Sequence, residues 1–194
     1  MNVTVLDLSA YLGLLAVGAA TANMFLGVLM AFRYSPVRQW PHRQFNYFRL
    51  HNWCGYVALV ASIIHPLILL WNKKPRFTFA NIAYPVHSPS QPFENTLGAV
   101  ALYGLAVVVL TSYFRLQLGR PLWKAFHFVV YFAAAALLCH SVLTSPDLTN
   151  LVDWLDGGKV FIEICVLVIV TLSILRWRYL RPRRSAPKAS FEVG

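Results

Sequence analysis

The sequence is poor in charged residues and in cysteine. Only 12% of its 194 residues are charged, about half the share usual in soluble domains, and only seven are Asp or Glu. The three cysteines form no CxxC motif and lie in apolar stretches, which excludes a disulfide framework and leaves them as small apolar residues expected to be buried. Because 58% of the residues are hydrophobic, an ordinary soluble domain is also excluded.

Long stretches without Lys, Arg, Asp or Glu define the class of protein. Four of them, 8–32, 50–72, 95–114 and 125–146, each reach the roughly 20 residues that a membrane-spanning helix needs. A fifth stretch, 159–175, carries Glu163 but is otherwise apolar enough to insert. The sequence therefore predicts an all-α integral membrane protein, a bundle of five transmembrane helices. Residues 1–184 form the membrane domain, and residues 185–194 form a cytoplasmic tail expected to be disordered.

The basic residues are divided unequally between the two sides of this topology. One side carries four of them: Lys73, Lys74, Arg76 and Lys159. The other carries thirteen: Arg33, Arg38, Arg43, Arg49, Arg115, Arg120, Lys124, Arg176, Arg178, Arg181, Arg183, Arg184 and Lys188. Since cytoplasmic loops carry the excess of Lys and Arg, the N-terminus is predicted outside and the C-terminus in the cytoplasm. The net charge of +10 then reflects topology and anionic lipid, and no nucleic-acid partner is expected.

Four of the six histidines lie inside predicted spans, where ionisable residues are rare and usually functional. His51 and His65 are 14 residues apart in the second span, which is about 21 Å and nearly four full helical turns. His127 and His140 are 13 apart in the fourth, about 19.5 Å. Thirteen residues leave His140 about 140° from the face of His127, so that span should be overwound or bent, or its ligands should approach from different sides.

Because spans two and four both start on the cytoplasmic side, His51 is level with His127 and His65 with His140. Two facing imidazole pairs, one in each leaflet, are the ligand set of two b-type haems with two histidines each. A haem iron with two neutral imidazoles favours electron transfer over oxygen binding. For any one intramembrane histidine, the alternative is a satisfied polar contact.

For several other charged and polar residues, the sequence leaves two roles as alternatives. Arg49, Arg120 and Lys124, together with Arg115, border the inner pair and are candidates to hold haem propionates; ordinary topology charge is the alternative for each. Glu163 is either a proton-handling group or an interface residue that reaches water. His42 and His87 lie in connections and are most simply surface histidines, although His87, with Tyr84, is also a candidate to lie near an electron acceptor.

Two segments carry a resemblance to a known family. Span two, LHNWCGYVALVASIIHP, and the segment LTSYFRLQLGRPLWKAFHFVVYFAAAALLCH resemble the ferric reductase-like transmembrane domain shared by ferric-chelate reductases and NADPH oxidases. The resemblance covers about 49–141 and includes the LTS and W-x-x-x-H motifs ahead of the histidines. It implies an inner haem held by His51 and His127 and an outer haem held by His65 and His140.

The sequence departs from that family in two ways. Its members usually have six spans, so a sixth is left open here, and they continue into cytoplasmic FAD- and NAD(P)H-binding domains, for which we expect no room. The haem-binding subunit of the methionine sulfoxide reductase system is similarly short and passes electrons to a separate partner. That subunit's family lacks a match to His51, so the full two-haem version looks closer.

We therefore expect a transmembrane b-type dihaem cytochrome, an oxidoreductase membrane subunit in which no side chain is itself catalytic. It should lie in a cell membrane of the bacterial inner-membrane type. The expected donor is a separate reductase or flavoprotein, a flavin at the cytoplasmic face, or a quinol; the expected extracytoplasmic acceptor is a ferric chelate, oxygen or a redox protein. One alternative is a metal or proton transporter that uses the histidines and Glu163, and another is a structural subunit of a redox complex.

Overall fold

A computed structural model describes residues 4–32, 46–144 and 157–180 of the chain. These residues are 89% helical and contain no strand. Their α-helices are α1 (Val5–Ala31), α2 (Tyr47–Leu67), α3 (Phe79–Ala83), α4 (Pro92–Tyr113), α5 (Arg115–His127), α6 (Val129–Thr144) and α7 (Gly157–Leu180). Two 3₁₀ turns, Ile68–Trp71 and Pro85–His87, lie in the connection between α2 and α4. The predicted tail at 185–194 and His42 lie outside the described residues.

Among the described residues, five helical stretches are long and apolar enough to cross a membrane. They are Val5–Ala31, Tyr47–Trp71, Pro92–Tyr113, Arg115–Thr144 and Gly157–Tyr179. Many of their large apolar side chains are exposed, for example Leu15, Val60, Phe132 and Leu167, as expected for helices that face lipid tails. The prediction of an all-α membrane bundle with five spans is confirmed, and the chain is a multi-pass integral membrane protein.

Side-chain caps fix where the first two spans begin. Thr4 and Asp7 form a capping box at the start of α1, in which Asp7 N donates to Thr4 Oγ1 and Thr4 N donates to Asp7 Oδ2. Asn46 caps α2 by accepting a hydrogen bond from Arg49 N at 3.0 Å. These bonds satisfy backbone donors that a helix start leaves unpaired, and the cap of α2 places His51 just over one turn into the helix.

Small residues let the spans approach closely. α1 packs along α2, α4 packs along α6, and α7 packs against α1 and α6. Gly55 and Ala58 on α2 are buried, and so is Ala133 on α6, where a Cβ at Gly104 of α4 would lie 2.9 Å from the Ala133 Cβ. In lipid, close packing of this kind is a main source of helix association. A cluster of Met24, Leu138 and Ile169 joins α1, α6 and α7.

The expected burial of the cysteines is correct for only one of them. Cys165 is buried, whereas Cys54 is half-buried and Cys139 is exposed. A thiol on a membrane helix is apolar enough to face lipid, so membership of a span does not imply burial inside the bundle.

The fourth span is irregular at two points. Gly119 has φ +73°, a left-handed conformation that kinks the first turns of α5. At Phe128, directly after His127, α5 gives way to α6, and Tyr131 N donates to Phe128 O at 3.2 Å across three residues. A 3₁₀-type bond of this kind turns the chain about 20° further per residue than an α-helix does, in the direction that brings His140 towards the face of His127.

Candidate functional site

The four intramembrane histidines lie in two pairs, each with one ring from α2 and one from the fourth span. The ring centroids of His51 and His127 are 6.2 Å apart, and those of His65 and His140 are also 6.2 Å apart. Two imidazole nitrogens that bind one metal ion from opposite sides at about 2.0–2.1 Å place their ring centroids about 6.4 Å apart. Both pairs therefore have the separation of two axial ligands on one metal ion.

Hydrogen bonds to backbone carbonyls orient three of the four imidazoles. The Nδ1 contacts are His51 to Asn23 O at 2.9 Å, His65 to Ser9 O at 2.7 Å, and His140 to Glu94 O at 2.8 Å. A carbonyl oxygen can only accept, so the neutral ring carries its hydrogen on Nδ1 and keeps the lone pair of Nε2 free. This is the arrangement in which a histidine binds a metal through Nε2 while a second hydrogen bond fixes its tautomer.

The acceptor carbonyls share a local pattern, because each is followed by a glycine four residues later on the same helix. The pairs are Ser9 with Gly13, Asn23 with Gly27, and Glu94 with Gly98. A Cβ at Gly13 would lie 3.2 Å from the His65 ring, one at Gly27 3.2 Å from His51, and one at Gly98 2.9 Å from His140. Helical side chains tilt towards the N-terminus over the preceding turn, so a side chain at these positions would cover the carbonyl that the histidine uses.

Ser9 strengthens the connection between α1 and α2. Its buried hydroxyl donates to His65 O at 2.8 Å, while its backbone oxygen accepts from the ring of the same residue. Pro66 follows His65 directly and has no N–H of its own to continue the helical hydrogen bonds. Ser9 thus holds both the main chain and the ring of His65 directly before the proline in α2.

A cavity of about 560 Å³ adjoins His65 and His140. Its walls come from all five spans and from the connection 72–91, and most of the lining is small or apolar, including Gly13, Ala16 and Gly98. Cofactor pockets have volumes of about 300–1,000 Å³. An apolar chamber of this size, with two opposed imidazoles, fits a large flat cofactor that brings the remaining metal ligands itself.

The two ends of the bundle differ. The cavity beside His51 and His127 measures about 50 Å³ between the described residues. Asn23 lines both cavities, and its Oδ1 atom is buried without a hydrogen-bond partner. Residues 33–45 join α1 to α2 at the His51 end and lie outside the described part of the chain. The ring separation is the same at both ends, but among the described residues the cofactor-sized cavity lies at the His65 end.

Arg49, Arg120 and Lys124 lie at the same end as His51 and His127, and their side chains are exposed. Arg49 is two residues before His51, and Lys124 is three residues before His127. Arg115 instead places its guanidinium 4.4 Å above the centre of the Phe48 ring. Binding of propionates by these cations stays a prediction.

The remaining candidates lie apart from the histidine pairs. Glu163 is exposed on α7, and His87 and Tyr84 are exposed in the connection between α2 and α4. Ser62 lines the large cavity, and Tyr131 packs against the cluster of Met24, Leu138 and Ile169. Within the described residues, no three His, Cys, Asp or Glu side chains gather as a metal-binding group.

Sequence reasoning missed the groups that hold the histidines. Ser9, Asn23 and Glu94 act through backbone oxygens, which every residue has and which leave no mark in the sequence. A signal does exist in the glycines, because Gly13 and Gly27 are 14 residues apart, the same spacing as His51 and His65. The two glycines lie on α1 and the two histidines on the adjacent α2. The same spacing on both helices indicates two sites at two membrane depths.

Comparison with known proteins identifies a family that the chain matches. The family model described as ferric reductase-like transmembrane component matches residues 16–138, which is more than half of the chain. The matched region begins within α1 and ends within α6, so it contains His51, His65 and His127 and stops two residues before His140. No curated protein and no solved structure matches the chain significantly.

Proposed function

The chain belongs to the ferric reductase-like transmembrane component family, and from this premise we propose that it is a b-type dihaem subunit that carries electrons across a membrane. Such domains are membrane redox subunits that generally bind haem. In this proposal, His51 and His127 would hold one haem, and His65 and His140 would hold the other.

The observation that carries the proposal is the repeated ligand geometry. Both pairs have the same centroid separation of 6.2 Å, although the helices are irregular between them. In three of the four rings a backbone carbonyl leaves Nε2 available, and the fourth ring has a hydroxyl partner at Nδ1. Satisfied polar contacts alone give no reason for two pairs with one separation at two depths.

When bound, haem iron supplies the one-electron redox chemistry. The residues of this chain would supply axial nitrogen, a fixed ring orientation and apolar surroundings that exclude water. Arg49, Arg120 and Lys124 are proposed to attract propionates at the His51 end.

The excess of basic residues at the His51 end supports placing that end on the cytoplasmic side. Electrons would then enter near His51 and His127 and leave near His65 and His140. In this proposal, a separate donor and a separate acceptor complete the pathway. A flavoprotein, a flavin or a quinol fits the donor, and a ferric chelate, oxygen or a redox protein fits the acceptor.

A visible spectrum of the purified chain tests this function. We expect two b-type haems per chain in a reduced-minus-oxidised spectrum, with haem and protein quantified on the same sample. His65→Ala and His140→Ala should lose the same haem, and His51→Ala and His127→Ala the other.

His87→Ala is the matched control, because His87 is exposed in a connection, and it should keep both haems. A folded, colourless wild-type chain would contradict the proposal and favour the transporter or the structural subunit. So would a spectrum in which His65→Ala and His140→Ala remove different haems.

A further inference from the structure

The carbonyl and glycine pattern that holds three histidines is interrupted at the fourth. On α1, Gly27 follows Gly13 by 14 residues, and each glycine opens the carbonyl four residues before it. On α4, the residue 14 positions after Gly98 is Ser112, not glycine. Ser112 therefore occupies the place where a fourth glycine would open the Val108 carbonyl to His127.

The Val108 carbonyl is also engaged elsewhere. The Thr111 hydroxyl donates to Val107 O at 2.7 Å and lies 3.2 Å from Val108 O. His127 Nδ1 instead lies 3.2 Å from Ser112 Oγ, the longest of the four Nδ1 contacts described above. The fourth imidazole is held at Nδ1 by a side chain alone, whereas each of the other three has a main-chain acceptor. His65 Nδ1 also lies 3.1 Å from Ser9 Oγ, but that hydroxyl donates its hydrogen to His65 O and can only accept from the ring.

Trp123 completes this arrangement. Its indole Nε1 donates to Ser112 Oγ at 3.4 Å, and its ring centroid lies 5.3 Å from that of His127 with an interplanar angle of 37°. Trp123 is four residues before His127 on α5, so both rings lie on one helical face. An indole N–H can only donate, so it occupies one lone pair of the Ser112 oxygen and limits how the hydroxyl can turn.

We propose that Ser112, held by Trp123, is the positioning residue for His127 and the one exchangeable support among the four haem ligands. This inference rests on the proposed function and deepens it. A carbonyl can only accept, so it fixes the hydrogen on Nδ1, but a hydroxyl can accept from Nδ1 or donate to it. If Ser112 donates, the hydrogen moves to Nε2 and the nitrogen that should face the iron is blocked.

The four histidines should therefore differ in how readily they bind haem. His51, His65 and His140 have their tautomer fixed before haem arrives, whereas His127 requires Ser112 to act as acceptor. The haem that depends on His127 should therefore be the one that is sensitive to the chemistry at position 112. Losing a second hydrogen-bond partner of a ligating histidine typically weakens metal binding about 10- to 100-fold.

The test uses the full chain with Ser112→Ala, Ser112→Thr and Trp123→Phe, and the haem lost by His127→Ala identifies the site. Ser112→Ala should retain that haem about 10- to 100-fold less well when haem is titrated against a competing acceptor. Its midpoint potential should shift while that of the other haem stays fixed, because a weaker Nδ1 hydrogen bond makes the imidazole a poorer donor. Ser112→Thr keeps the hydroxyl and should restore both values, and Trp123→Phe should give an intermediate shift.

Ser173→Ala is the matched control, since the Ser173 hydroxyl bonds only Ile169 O within α7 at 2.8 Å among the contacts described. Both haems should be unchanged in it. If Ser112→Ala fails to fold, Ser112→Thr and Trp123→Phe still decide, because no shift in Trp123→Phe would contradict the inference. A wild-type chain without haem overturns the proposed function as well, whereas two haems with Ser112→Ala equal to wild type overturns this inference alone.

Discussion

Under the proposed function, replacing Gly98 by alanine should weaken haem binding at the His140 site and leave the other site unchanged. Gly98 lies on α4 against His140, and a Cβ there would lie 2.9 Å from Cε1, 3.0 Å from Nδ1 and 3.1 Å from Nε2 of that ring. Carbon atoms in contact normally stay about 3.5–4.0 Å apart. The imidazole would therefore have to move by about 0.5–1 Å, counted from those contact distances.

The ring has little freedom to make this movement. Glu94 O holds Nδ1 at 2.8 Å, so a shift away from the new methyl group stretches that hydrogen bond and moves Nε2 out of line with His65. Overpacking of this kind costs about 1–3 kcal/mol. Alanine in a helix interior regains about 1 kcal/mol over glycine, so the net cost is about 0–2 kcal/mol, which corresponds to a loss in haem retention of up to roughly 30-fold.

Haem per folded chain and the midpoint potential of each haem check this prediction. Gly13→Ala, with its nearest contact at 3.2 Å from His65, should show a smaller loss at the same site. Gly157→Ala is the control, because a Cβ there meets nothing within 4 Å. The reasoning would be refuted if Gly98→Ala kept two haems with wild-type potentials. The His140 ring would then accommodate the added methyl group without moving, contrary to the 2.9 Å contact.

Three further substitutions separate packing from ligand support. Gly104→Val should lower the unfolding temperature of the detergent-solubilised chain, because its Cβ would lie 2.9 Å from the Ala133 Cβ between α4 and α6; an unchanged temperature would contradict the close approach. Asn23→Leu should raise stability by about 1–3 kcal/mol in chemical unfolding, because it removes a buried oxygen that has no hydrogen-bond partner. A loss of stability would mean that this oxygen is satisfied after all. Ser9→Ala should cost about 1 kcal/mol through the lost bond to His65 O, yet keep haem content, since the backbone oxygen still holds the ring.

Much of the fold could be predicted from charge and hydropathy. Four uncharged stretches and one apolar stretch that carries Glu163 mark the same five spans that the described residues show, because a bilayer leaves few ways to place a charged side chain. The division of residues between the lipid and the bundle interior could not be predicted in the same way. Cys139 and Cys165 are equally apolar, yet one is exposed and the other buried, because the two surroundings of a span are both apolar.

The site was partly predictable for a different reason. Spacing placed His51 and His65 on one helical face, since 14 residues are close to a whole number of turns. The same arithmetic put His127 and His140 on different faces, and the break at Phe128 lies between them. A local departure from α-helical winding depends on tertiary packing. The spacing of the histidines therefore predicts that the helix is irregular between them, but it does not predict at which residue.

The support of the ligands is encoded mainly by the absence of side chains. A carbonyl acceptor is the same in every residue, so a sequence can specify that acceptor only by leaving it uncovered, as Gly13, Gly27 and Gly98 do. Such a support is insensitive to substitution at the acceptor residue and highly sensitive at the glycine four positions later. At His127 the relation is reversed, because the acceptor is the Ser112 side chain itself. A single substitution at position 112 can therefore change the hydrogen bond to His127. At the other three histidines, a substitution of the glycine chiefly acts by blocking the imidazole ring.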